Sequence, residues 1–352
     1  MHRRNFNKIV ALSPLVLGAT QMGNSIHTED TENNTIVRPN ALKKGDTVAL
    51  ITPAGPINPD KFSNALKNLE NMGLKPKYSD AAFFKKGYLA GTDQERIADF
   101  HQMIKDPEVK AIWCLRGGYG CTRIIEQLDY NLIRQNPKII IGYSDITSLL
   151  LAIYAQTGLV GFHGPVAISD EFTPFTALQA ETILFGNTTL PHIIPFQTQS
   201  VEKFALGHEP YTITSGKASG VLTGGNLSLL VCLPNTKFAP SYKGKIVFIE
   251  DVGEKPYRLD RMLTYLIDAT DLKEAAGIVL GVFNDCDTKE PENSMTLHEV
   301  LKDRLTPLNI PCFYGFTFGH VVDICTFPIG IKAEMDTELK QVSLLEQSVV
   351  MV

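Results

Sequence analysis

Apolar positions recur along the chain in two rhythms, short β-branched runs and longer stretches with helical spacing. The first run, Thr47 to Ile51, predicts a strand that ends in Thr52-Pro53-Ala54-Gly55-Pro56. A helix is predicted from Pro59 to Met72, with Phe62, Ala65, Leu66 and Leu69 on one face and Gly73 at its end. Lys75 to Ser79 reads as a second strand, and Thr92 caps a helix through Ile97, Phe100 and Ile104. The strand Val109 to Leu115 breaks into Arg116-Gly117-Gly118-Tyr119-Gly120, and helical spacing resumes at Ile124, Ile125 and Leu128. The run Ile139 to Ile141 is then cut by Gly142, and a helix from Ile146 to Ala155 begins almost at once. Strand and helix alternate throughout, which predicts an open parallel sheet with helices on both faces.

In such sheets ligands sit beyond the carboxyl ends of the strands. Three loops occupy those ends: Thr52 to Pro56, Arg116 to Gly120, and Gly142 to Asp145. Ser144 falls in the third, at a sharp strand-to-helix joint. Such a joint pushes a hydroxyl outward while the first N–H groups of the new helix point toward it.

The pattern weakens after Val166. A Pro- and Thr-rich stretch reads as a linker, and a second α/β region follows. Its predicted elements are a turn-rich segment Gly220 to Gly225, a helix Leu227 to Leu233, a strand Lys245 to Ile249 and a helix Pro256 to Ile267. A strand Gly277 to Phe283, a helix Leu297 to Leu305 and strand-like runs about Cys312 and Ile324 complete it. The expected organisation is a leader at 1–25, a tether at 26–41, an N-terminal α/β domain at 42–167, a linker at 168–209 and a mixed α/β C-terminal domain at 210–340.

Composition refines this reading. With 352 residues, 44% of them hydrophobic, the chain can bury a large core. A formal net charge of −5 without a basic cluster excludes a nucleic-acid partner. Arg3-Arg4-Asn5-Phe6-Asn7-Lys8 followed by the apolar Ile9 to Ala19 reads as an export leader, and the order of its residues resembles a twin-arginine signal. The expected location is the periplasm or cell envelope, or the cytoplasm if that leader does not function. The apolar stretch is too short to span a bilayer, so no membrane span is expected in the mature chain. The six cysteines are scattered and several lie in apolar runs, which favours free thiols over disulfides.

A serine nucleophile needs a base, a group that orients the base, and donors for the oxyanion. Of eight histidines, His2, His27 and His192 fall in the leader, tether and linker, His208 near the linker's end, and His101 and His298 on helices. His163 and His320 each stand beside glycine in a turn, and residue type leaves both open. Glu250 ends the run Ile246 to Ile249 at a strand's carboxyl end, or else it begins an exposed loop. Asp145 either caps its helix through its side chain or offers its backbone N–H to an oxyanion. The glycine loop cradles an oxygen or forms a tight turn, and no Gly-Lys-Ser/Thr follows it to complete a phosphate-binding loop. Neither a His-Glu-x-x-His run nor paired cysteines occur, so no metal or cofactor is expected.

Six motifs in order resemble the LD-carboxypeptidases, a serine peptidase family that also includes the microcin C immunity peptidases. They are Arg116-Gly117-Gly118-Tyr119-Gly120, Gly142-Tyr143-Ser144-Asp145-Ile146-Thr147, His163-Gly164-Pro165, Gly224-Gly225-Asn226-Leu227, Ile249-Glu250-Asp251 and Gly319-His320. The likeness runs from about Leu42 to Ala333. It implies Ser144 as nucleophile, His320 as general base and Glu250 as its orienter, with oxyanion donors from the backbone of Asp145 and of Gly117 or Gly118. His163 then takes a structural role. Arg116 is a cation for the substrate's carboxylate or a brace for its loop. The implied substrate is a muropeptide, cleaved between an L-centre and a terminal D-amino acid, and a homodimer is compatible with the sequence. A microcin-type acyl-amide peptidase of the same family and a periplasmic solute-binding protein are the rival expectations. An amidotransferase would want cysteine at the elbow, and an α/β-hydrolase would want glycine where Ile146 stands.

Overall fold

The inner parallel strands Ile139–Gly142, Ile246–Glu250 and Gly277–Leu280 are mostly apolar and wholly buried because both of their faces are covered. The computed structural model describes residues 35–170, 172–196 and 209–351. The leader, residues 26–34 of the expected tether and residues 197–208 of the expected linker lie outside them. The strands of the first half are β1 (Thr47–Ile51), β2 (Lys75–Lys77), β3 (Val109–Cys114), β4 (Ile139–Gly142) and β5 (Phe162–His163). Next come β6 (His192–Ile194), β7 (Tyr211–Thr214), β8 (Lys217–Asn226), β9 (Ile246–Glu250) and β10 (Gly277–Leu280). The chain closes with β11 (Cys312–Tyr314), β12 (Phe327–Pro328), β13 (Lys332–Asp336) and β14 (Gln341–Leu344).

They form two sheets. The first has the order β12-β5-β4-β3-β1-β2 and is parallel through β5 to β2, with β12 antiparallel at its edge. The second, β6-β14-β13-β8-β9-β10-β11-β7, is parallel only from β8 to β11. The expected α/β architecture, a parallel N-terminal sheet and a mixed C-terminal one, is therefore present. Thr92 caps its helix as predicted and forms a capping box with Glu95.

One helix joins the halves. Ile146–Thr157 buries residues all round, from Ile146 through Ile153 and again at Thr157, as expected of a helix enclosed on every side. Its Thr147 Oγ1 accepts a hydrogen bond from Asn226 N at 3.0 Å, at the end of β8. Here the structure differs from the pattern: Gly220 to Gly225 belongs to the ten-residue strand β8, not to a turn. Glycine is required because a Cβ on Gly224 would lie 1.9 Å from Phe248 O, and one on Gly225 2.4 Å from Thr147 Cγ2. Close approach of backbone to a neighbour erased the side-chain alternation by which strands are read.

Other departures follow from tertiary contacts. The expected tether is packed down at its described end, where Val37 N donates to Gly158 O and Val37 O accepts from Val160 N, both at 2.9 Å. The expected linker carries a helix, Pro174–Leu184, and β6. The helix after Asn226 is one turn, Leu227–Leu230, and Ile324 lies in a loop rather than a strand. β12 returns to the first sheet, and β13 with β14 forms an antiparallel hairpin that the sequence reading missed.

Candidate active site

Ser144 sits at φ +63°, in the left-handed region that non-glycine residues rarely adopt. The strain follows from the joint: β4 ends at Gly142 and the next helix is under way at Ile146. Gly117 packs against this serine, so that a Cβ there would lie 2.8 Å from Ser144 Cβ, 3.0 Å from Oγ and 3.3 Å from Asp145 N. Gly117 thus packs directly against Ser144, and its O accepts from Gly55 N at 3.1 Å, tying all three strand-end loops together.

Asp145 caps nothing in its own helix. Its carboxyl instead reaches across to Cys121 N, 2.8 Å away, and fixes the exit of the glycine loop. Burial raises its pKa. The same exit is held by Arg96, a buried guanidinium that donates to Gly120 O at 2.9 Å and to Pro53 O. Sequence reasoning missed Arg96; its only signal was a charge on the inward face of the helix that Thr92 caps.

Glu250 ends β9 and is fully buried, so it does not begin an exposed loop. Its Oε2 lies 2.8 Å from His320 Nδ1, bringing together residues 70 positions apart. Burial alone would push the Glu250 carboxyl up, but the His320 charge and hydrogen bond, with smaller contributions from His163 and Asn226, together hold the pKa below the usual value. An ionised carboxylate only accepts, so Nδ1 carries the proton and Nε2 is left as the basic nitrogen. The approach needs Gly319, at φ +109°, where a Cβ would sit 3.0 Å from Glu250 Oε2. Tyr143, the residue before Ser144, meets the His320 ring edge-on at 4.8 Å between centroids. The elbow and the Glu250–His320 pair therefore share one site.

Asp251 braces that site and was read from sequence only as a neighbour. Its buried carboxylate accepts from Asn226 Nδ2 at 3.1 Å, Ser228 N at 3.0 Å, Ser228 Oγ at 2.9 Å and Val252 N at 2.8 Å. These bonds clamp the ends of β8 and β9. Burial, and then the Glu250 charge, raise its pKa to about 6.

His163 is brought close but not into contact with a polar group. Its ring is wholly buried, edge-on to Phe248 at 5.3 Å and to Tyr143 at 6.2 Å, and neither nitrogen has a hydrogen-bond partner. Burial lowers its pKa to about 4. Arg116 is exposed and donates from Nη1 to Pro56 O at 2.8 Å. Among the described residues no cluster of His, Cys, Asp and Glu has the form of a metal site, and no helix is long and apolar enough to cross a membrane. All six cysteines are free thiols, five of them buried.

Known proteins resemble this chain in sequence and in fold. Residues 48–164 match the LD-carboxypeptidase N-terminal domain, and residues 219–335 the LD-carboxypeptidase C-terminal domain. A probable murein peptide carboxypeptidase of Bacillus subtilis is 43% identical over 308 residues, spanning 86% of this chain and 92% of its own. The murein tetrapeptide carboxypeptidase of Pseudomonas aeruginosa is 32% identical over 301 residues, 82% of this chain and 92% of its own. The solved structure of MccF in complex with glutamyl sulfamoyl guanosine superimposes with a TM-score of 0.78 at 28% identity, covering 89% of this chain and 99% of that one. The identity, its extent and the paired domains lead to one conclusion: the chain belongs to the LD-carboxypeptidase family of peptidases.

Proposed function

We propose that this protein hydrolyses the amide between an L-configured centre and a terminal D-amino acid in murein tetrapeptides, through a Ser144-Glu250-His320 triad. His320 Nε2 takes the proton of Ser144 Oγ as the oxygen bonds to the amide carbon. The resulting oxyanion is held by the backbone N–H of Asp145 and that of Gly117 or Gly118. His320 returns the proton to the departing D-amino acid nitrogen, leaving an ester on Ser144. Water, deprotonated by the same imidazole, hydrolyses that ester. Arg116 supplies a cation for the substrate's free carboxylate.

The observation that carries this reading is the 2.8 Å contact between His320 Nδ1 and Glu250 Oε2, with the His320 ring edge-on to Tyr143, the residue before a serine at φ +63°. Ser144→Ala tests it. The variant keeps the wild-type melting temperature and loses D-alanine release from a tetrapeptide muropeptide by a factor of about 10⁴ or more. Retention of most of the activity overturns the assignment. The likeness to MccF favours a second reading, cleavage of acyl-amide antibiotics, and faster turnover of an acyl sulfamoyl nucleoside than of the tetrapeptide selects it.

The protein acts in this proposal on peptides outside the cytoplasm, since its Arg3-Arg4 leader resembles an export signal. Changing both arginines to lysine abolishes its appearance in the envelope fraction; unchanged export refutes the leader.

A further inference from the structure

We propose that the cavity beside Arg116 is the subsite for the substrate's terminal carboxylate, with Lys61 as a second, previously unassigned specificity residue. The inference rests on the carboxypeptidase reading above. The cavity has a volume of about 440 Å³, within the range of pockets that hold small ligands. Its walls come from both halves of the molecule: Arg116 immediately precedes Gly117, which packs on Ser144, and Val321 and Val322 immediately follow His320. Any group bound there lies against the chain neighbours of both the nucleophile's contact and the base. A larger cavity of about 710 Å³, lined by residues such as Glu254, Tyr257 and Asp287, touches neither loop.

The chemistry of the walls selects the ligand. Arg116 uses Nη1 on Pro56 O, and among the described residues its remaining guanidinium donors have no hydrogen-bond partner. Lys61 Nζ is held 3.3 Å from Asp170 Oδ1, and both side chains are largely exposed, at 56% and 87%. Such a pair is worth little in water and exchanges readily for a better anion. Among the described lining residues, two cations stand against one carboxylate. Phe172, Val321 and Val322 supply an apolar part of the same lining. A lining that combines cations with apolar side chains fits the end of a peptide, whose carboxylate takes the cations while its short side chain covers the valines. Asp170 keeps Lys61 beside the cavity when it is empty and yields it to the incoming carboxylate.

The test uses the Ser144→Ala protein, which binds without turnover, and two probes: a tetrapeptide ending in D-alanine, and the same peptide as its C-terminal amide. Calorimetry is expected to give tighter binding of the acid. Adding Lys61→Met weakens the acid about tenfold, the scale of one charge-assisted hydrogen bond at an accessible site, and changes the amide less than twofold. Adding Asp170→Asn instead tightens the acid severalfold. Equal weakening of acid and amide by Lys61→Met, no change in either, or binding of neither probe overturns the subsite. The binding measurement is independent of catalysis, so failure of the wild-type protein to release D-alanine refutes the proposed reaction separately.

Discussion

Gly117→Ala separates the shape of the site from the stability of the fold. Gly117 is not among the residues at positive φ, so alanine meets no backbone penalty there. The added methyl, however, would stand 2.8 Å from Ser144 Cβ and 3.0 Å from its Oγ. Carbon atoms pack at roughly 3.5 Å, so the serine or the loop must yield by roughly 0.7 Å. The loop has little freedom to do so, because Gly117 O is tied to Gly55 N and Arg96 and Asp145 hold its far end. The displacement therefore falls on Ser144 and on the N–H of Asp145, 3.3 Å from the same methyl. A misplacement approaching 1 Å costs about 10²-fold in rate, and overpacking costs about 1–3 kcal/mol of stability. The assay is kcat for D-alanine release, with urea unfolding in parallel. Gly45→Ala is the control: at φ +92° with nothing within 4 Å of the new Cβ, it loses about 1–2 kcal/mol to strain and leaves kcat unchanged. A folded Gly117→Ala protein with kcat within twofold of wild type refutes the packing argument.

Two further outcomes follow from burial. His163 has a folded pKa of about 4, below the ordinary value of 6.5, so its contribution to stability is full above pH 6.5 and is lost as pH falls toward 4. His163→Phe removes that loss, and the variant gains about 2.5 kcal/mol on wild type between pH 7.5 and 4.5 in urea titrations; a difference independent of pH refutes a buried neutral imidazole. A thiol reagent modifies only the exposed Cys232 in the native protein, and slowly, since burial and then Asp145 raise its pKa. All six thiols react after unfolding without reductant, and a count of four reveals a disulfide.

Local sequence determined the elements whose side chains carry a period or a cap. The runs of β1, β3 and β4, the helix begun by Thr92 and the joint at Ser144 are all visible because each is specified by residues within a few positions of one another. The same reasoning failed at β8, where Gly224 and Gly225 have no side chains to alternate and are explained only by Phe248 and Thr147, brought up by other segments. It failed at β12 too, since two residues have no pattern and their partner β5 is remote in the chain.

The candidate site divides along the same line. A serine at a strand-to-helix break and glycines after a strand are legible one loop at a time. The choice between His163 and His320 is not legible from residue type, for both stand beside glycine in what reads as a turn, although His163 in fact lies in β5. The family resemblance points to His320, and the tertiary structure gives the two rings different surroundings: one is sealed among aromatic edges with no polar partner among the described residues, and the other meets a buried carboxylate 70 residues away. Sequence fixes what each loop can offer through local sterics. Which offers meet is decided by the packing of two sheets about the Ile146–Thr157 helix, and no local pattern encodes that.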